Sequence, residues 1–115
     1  MNNTESTKKL KAVSASEFEA CLQETKTPVL VDFAAPWCHP CRMLDPQLAK
    51  LNDKLKEKVQ LQKINIDMTP EVARKYGVMS IPTLLLLDEK GQEVHRMQAG
   101  SYSYDQLESE VLEYL

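Results

Sequence analysis

The 115-residue sequence predicts an α/β fold, a central mixed β-sheet with helices on both faces. Three observations carry this expectation. Short apolar, β-branched runs alternate with segments of helical periodicity; two Ser-x-x-Glu/Gln boxes each announce a helix; and the last two strand-like runs are joined by a turn short enough for a hairpin. The length suits one domain that buries a core without staples. A chain with 43% hydrophobic and 27% charged residues has the make-up of a folded protein, too apolar to remain disordered.

Residues 1–9 are polar and aperiodic and are expected to form a flexible lead-in, leaving 10–115 as a single domain. Leu10 to Val13 reads as a short edge strand. Ser14 stands three residues before Glu17, a capping-box spacing, with Val13 and Phe18 placed as a hydrophobic staple. A helix should start there and carry Phe18, Cys21 and Leu22 on one face as far as Thr25. After Pro28, "VLVDF" (29–33) reads as a buried strand, interrupted only by Asp32. Beyond Trp37 the pattern turns helical, with Leu44, Leu48, Leu51 and Leu55 recurring at four, three and four residues. Pro46 inside that helix should kink it.

"VQLQKINID" (59–67) is the next strand. "TPEVARKYG" (69–77) is a short helix with a Thr cap, Pro in the first turn and Gly as its stop. "TLLLL" (83–87) and "EVHRMQ" (93–98) should pair antiparallel through "DEKG". Ser103 with Gln106 opens a terminal helix whose inward face is Leu107 and Val111, extended by Leu112 or Leu115. The order is β-α-β-α-β-α-β-β-α, without repeats or internal linkers.

Fourteen Lys and Arg against seventeen Asp and Glu give a net charge of −3, with no basic block to track a phosphate backbone, so nucleic acid is not an expected partner. The polar N-terminus lacks the apolar centre of a secretory signal, and no run approaches a membrane span. A cytoplasmic location without membrane contact is the expectation. In that reducing compartment three cysteines are not a disulfide framework. The pair in "APWCHPCR" (35–42) is therefore a metal half-site or a redox pair.

The redox reading has a physical basis. A cysteine between a buried strand and a helix faces unpaired backbone N–H groups and the positive end of the helix dipole, which favour thiolate. Cys38 holds that place; Cys41 lies one turn further in, better shielded and within reach. Cys38 should attack a substrate disulfide and Cys41 should resolve the mixed intermediate. Pro40 is tolerated in the first turn. Structural zinc would need four ligands, whereas the chain offers Cys38, Cys41 and His39 together, with Cys21 and His95 remote, so no metal is expected. Haem attachment is disfavoured because Arg42, not His, follows Cys41.

Beyond this reading, "VDFAAPWCHPCRMLDP", "INID", "YGVMSIPTLLL" and the glycine of "QAGS" resemble the thioredoxin family in order and spacing, from about Val13 to the C-terminus. The resemblance implies the thioredoxin fold and a thiol–disulfide oxidoreductase that reduces protein disulfides, with Cys38 as nucleophile and Cys41 as resolving residue. It implies that Asp32 is the buried acid that accepts a proton from the resolving thiol, a role its predicted burial supports by raising its pKa. Lys63 matches the lysine near that acid. Pro82 matches the proline whose preceding bond is cis, with Ile81 offering its backbone to an extended substrate. Trp37 would cover one side of the site, and the surface around Trp37, Ile81 and Gly100 would hold a partner. No cofactor is expected: without a cofactor-binding motif, electrons must come from a partner protein, a thioredoxin reductase. A monomer is the expected state.

Thioredoxins usually carry Gly where this chain has His39. At its plainest, His39 is an exposed side chain at a tolerant position. At its sharpest, an imidazolium there stabilises the Cys38 thiolate and makes the disulfide more oxidising, by at most about 30 mV per pKa unit. Two alternatives follow: a more oxidising isomerase- or oxidase-like member, or a binding module in which the cysteines idle. Ala34 replaces an aromatic frequent after the strand acid, and Ser80 stands where many members have Gly. Cys21 reads as a small buried hydrophobe.

Overall fold

The computed structural model describes residues 10–98 and 100–115, so the lead-in expected over 1–9 lies outside the described residues. The elements are α1 (Ala15–Glu24), β1 (Val29–Ala34), α2 (His39–Leu55), β2 (Gln60–Asn65), α3 (Pro70–Lys75), β3 (Thr83–Leu87), β4 (Glu93–Met97) and α4 (Tyr104–Glu113). One mixed sheet runs in the order β2-β1-β3-β4. β2 is parallel to β1, β3 antiparallel to β1, and β4 antiparallel to β3. None of the described helices is long and apolar enough to cross a membrane.

The alternation of β1 explains the layers. Every residue of β1 is buried, and successive side chains point to opposite faces. Val29, Val31 and Phe33 pack with Phe18 of α1 and Val72 and Ala73 of α3. Leu30 packs on the other face with Leu44, Leu48, Leu51 and Leu55 of α2 and Leu107 and Val111 of α4. By the same period of two, Asp32 shares the face of Leu30 and lies on the α2 side.

Both capping boxes form. The Ser14 hydroxyl accepts the Glu17 N–H at 3.1 Å while Glu17 Oε1 accepts the Ser14 N–H at 2.7 Å. Ser103 and Gln106 repeat the arrangement at 3.2 and 2.9 Å. Ser103→Ala is expected to cost about 1 kcal/mol, read as a lower urea midpoint with an unchanged slope. An unmoved midpoint would contradict the box's contribution.

Several expectations need correction. Leu10 to Val13 is no strand: Ala12 makes one isolated parallel bridge to Lys63, and the Val13 N–H donates to the Lys63 carbonyl at 2.9 Å. The chain then leaves the sheet edge because Ser14 is already turning to cap α1. β2 stops at Asn65 rather than Asp67. The Asn65 side chain accepts the Asp67 N–H at 2.9 Å and its carbonyl accepts the Met68 and Thr69 amides, which turns the chain. Thr69 does not cap α3, since its hydroxyl donates instead to the Asn65 carbonyl at 3.1 Å. Leu112 and Leu115 are exposed, the first because it is turned about 100° from Val111 and the second because it lies beyond the helix. Pro46 lies inside α2, as the sequence predicts.

Gly77 stops α3 as expected. Its φ of +64° lets the Val78 N–H reach the Ala73 carbonyl at 2.9 Å and its own N–H reach that of Arg74 at 3.1 Å, the paired bonds of a Schellman ending. This reversal aims the chain at the loop before β3.

Candidate active site

The site begins where β1 ends. The Cys38 N–H donates to the Ala35 carbonyl at 3.1 Å, closing the turn, and the Cys38 carbonyl accepts the Arg42 N–H at 3.2 Å as the first helical bond of α2. Cys38 is the N-cap, and its sulfur accepts the Cys41 N–H at 3.2 Å, taking the place that a serine oxygen has at α1 and α4. Pro40 lies in the first turn, where its missing donor costs no bond. The Arg42 guanidinium donates to the Pro36 carbonyl at 2.8 Å and pins the turn.

Cys38 and Cys41 form a disulfide with their Cα atoms 5.3 Å apart. The residues are only 5% and 3% exposed, so the greater shielding expected of Cys41 is slight. They pack with Ala34 and Ala35, and with the partly buried Ile66 and Ile81. Ala34 is buried in the same cluster as the two cysteines.

On one flank the Ile81–Pro82 bond is cis and Pro82 is buried. A β-carbon placed on Gly100 would lie 3.9 Å from side-chain carbons of both Pro40 and Pro82, so the segment before α4 closes against the start of α2 and the loop before β3. Trp37 is 65% exposed and its indole N–H donates to Asp67 Oδ2 at 2.9 Å. A shallow cleft of about 240 Å³ is lined by Trp37, Ile66, Met79, Ser80 and Ile81 among others; Met79 is 94% exposed. His39, the first residue of α2, is exposed.

On the other flank is a charged group. Asp32 is 1% exposed and neither carboxylate oxygen has a hydrogen-bond partner. Burial raises its pKa to about 7; Lys63 pulls it down and Asp45 pushes it up, each by less than burial does. Lys63 is the register neighbour of Asp32 on β2, yet its ammonium binds Asp45 of α2, at 3.1 and 3.2 Å to the two carboxylate oxygens. A cleft of about 300 Å³ opens there between Ala34, Cys41, Arg42, Asp45, Lys63 and neighbouring residues.

The remaining candidates stand apart. Cys21 lies on α1, partly buried against the opposite core layer, and burial followed by the Glu24 charge raises its thiol pKa. His95 on β4 is bonded to Glu110 at 2.6 Å and stacked on Tyr114. Among the described residues no cluster of three or more His, Cys, Asp or Glu is placed to hold a metal ion.

Sequence reasoning missed Asp45, Asp67, Ile66 and Met79. Asp45 had a signal, since four residues after Cys41 is the same helical face one turn on. The Trp37–Asp67 bond joins residues thirty apart and had no local sign.

The family described as Thioredoxin matches residues 9–113. The thioredoxin of Synechocystis sp. (strain ATCC 27184 / PCC 6803 / Kazusa) is 39% identical over 103 residues, which cover 90% of this chain and 94% of that protein. The thioredoxin of Alicyclobacillus acidocaldarius subsp. acidocaldarius is 40% identical over 100 residues, covering 87% and 92%. That of Rickettsia bellii (strain RML369-C) is 44% identical over 81 residues, covering 70% and 77%. Near-complete coverage by such relatives, together with a Cys-x-x-Cys disulfide at the head of α2, makes this chain a member of the thioredoxin family and a thiol–disulfide oxidoreductase.

Proposed function

We propose that the protein, as one domain over residues 10–115, is a cytoplasmic, monomeric reductase of protein disulfides that receives its electrons from a thioredoxin reductase and needs no metal or organic cofactor. The observation that carries the reading is the Cys38 sulfur held as N-cap of α2, accepting the Cys41 amide and already within bonding distance of the Cys41 sulfur. In the reduced protein the same amide and the helix dipole stabilise a Cys38 thiolate.

The thiolate attacks one sulfur of a substrate disulfide, forming a mixed disulfide and releasing the other sulfur as a thiolate. Cys41 gives its proton to the Asp32 carboxylate and attacks the Cys38 sulfur. The Cys38–Cys41 bond forms, the mixed disulfide breaks, and the second substrate thiolate leaves. The substrate gains two electrons and the enzyme loses them. Asp32 suits proton acceptance because its pKa of about 7 lies near the operating pH. Lys63 modulates Asp32 from the adjoining strand. Trp37, Ile81, Pro82 and Gly100 form the substrate-facing rim, while His39 and Pro40 tune the couple from between the cysteines.

Cys41→Ser is expected to trap substrates on Cys38 as stable mixed disulfides, seen by mass spectrometry as adducts that dithiothreitol releases. An adduct-free Cys41→Ser protein would contradict the assigned order of attack. Turnover of insulin disulfides with NADPH and thioredoxin reductase tests the electron source. A measured potential near that of disulfide isomerases, about −180 mV, rather than near −270 mV would instead favour the more oxidising reading that His39 suggests.

A further inference from the structure

Asp45 is a charged residue of α2 close to the redox pair for which the reaction above has no use, and its position is specific. It lies one turn beyond Cys41, on the face of α2 turned toward β1 and β2, and its carboxylate takes the Lys63 ammonium with both oxygens, at 3.1 and 3.2 Å. The two side chains are only 16% and 19% exposed, so the pair is partly withdrawn from solvent and less screened than a surface ion pair. Lys63 and Asp32 are register partners on parallel strands, whose backbones lie about 4.8 Å apart. Two carboxylates thus border one ammonium, and only Asp45 is bonded to it; both oxygens of Asp32 are left without a partner.

We infer that Asp45 is a positioning residue: by binding the Lys63 ammonium it keeps that cation off Asp32, so that the buried carboxyl can take up and return the proton of the resolving thiol. A Lys63 ammonium free of Asp45 would present a full unit charge beside an unpartnered carboxylate, and direct pairing would hold Asp32 ionised. Bound to Asp45 it presents the weaker field of an ion pair. The charges that act on Asp32 come from Lys63 on β2 and Asp45 on α2. Arg42 and Cys41 of α2 border the same cleft, and β3 contributes the apolar Leu84 as register neighbour. The inference rests on the reading of Asp32 as proton acceptor, yet the charge arrangement can be tested without it.

The test is a carbon-13 NMR titration of the Asp32 carboxyl in the full-length oxidised protein, where Cys38 and Cys41 do not titrate, with the signal assigned by its loss in Asp32→Asn. Asp45→Asn should lower the Asp32 midpoint by about one pH unit. Asp45→Glu should restore it nearly to the wild-type value, and Lys63→Met should raise it. In the Lys63→Met background, Asp45→Asn should retain less than half of its effect, because the cation it held is gone. Asp45→Ser gives the same sign should the Asn variant fail to fold. A midpoint unmoved or raised by Asp45→Asn, or an effect that persists in full without Lys63, would overturn the assignment. The rate at which Cys41 resolves a preformed mixed disulfide, followed against pH, is a separate readout. Indifference of that rate to Asp32 protonation would remove the proton-acceptor role while leaving the placement of Lys63 by Asp45 intact.

Discussion

Cys38→Ser is expected to lose disulfide reduction by at least about a thousandfold, down to the uncatalysed background, while the fold survives. A serine hydroxyl forms no mixed disulfide, so the first bond of the exchange cannot be made. The same hydroxyl is an excellent N-cap, and it would accept the Cys41 N–H that the sulfur now accepts at 3.2 Å. The helix start should therefore persist, and activity and structure separate cleanly. Cys38→Ala would remove both, costing about a further 1 kcal/mol of helix capping. The measurement is NADPH-coupled reduction of insulin beside a circular dichroism spectrum. Reduction that continues at a comparable rate in the serine variant would mean that the disulfide at the head of α2 is not the working one, and would favour a binding module in which the cysteines idle.

The second large effect is on stability and opposes function. Asp32 is held as a buried carboxyl with a pKa of about 7, against 3.8 for an unperturbed one, the dominant cause being desolvation. Because the folded value is raised, the folded state binds this proton more tightly than the unfolded state does. The contribution of Asp32 to stability is then fully present below about pH 3.8 and is lost as the pH rises to about 7, above which the penalty is constant. About three pH units at about 1.4 kcal/mol each make a loss of roughly 4 kcal/mol. Asp32→Asn has no charge to bury and escapes it. Relative to wild type, the oxidised variant should gain roughly 4 kcal/mol between pH 4 and pH 8 in urea denaturation, less a constant offset for its unpaired amide. Parallel stability curves for the two proteins would show that Asp32 does not titrate in this window. A more stable but slower enzyme is the expected outcome, since the removed group is the one proposed to accept the resolving proton.

The sequence was most legible where a short signal decides the structure. The boxes at Ser14 and Ser103, the Gly77 stop and the runs at 29–33 and 83–87 all depend on residues within a few positions of one another, and each forms. The cysteine pair at the head of α2 was readable for the same reason. What failed depended on competition between neighbours: Val13 could not extend an edge strand while Ser14 was turning to cap a helix, and Thr69 gave its hydroxyl to Asn65 instead of to α3. The rest of the site needed the third dimension. Lys63 was read as a neighbour of Asp32, which the register bears out, but its bond to Asp45 depends on how α2 lies across β1 and β2. The docking of Trp37 by Asp67 likewise depends on a turn that sequence reading took for strand.

The near-complete enclosure of the two sulfurs has a consequence for what the enzyme can meet. An incoming cystine must bring its own sulfur in line with one that is barely accessible. A cystine locked inside a well-packed partner cannot make that approach until its own surroundings open. Disulfides in loosely held segments are therefore expected to exchange faster than those of intact cores, by a ratio that follows the local opening free energy of the chain around them.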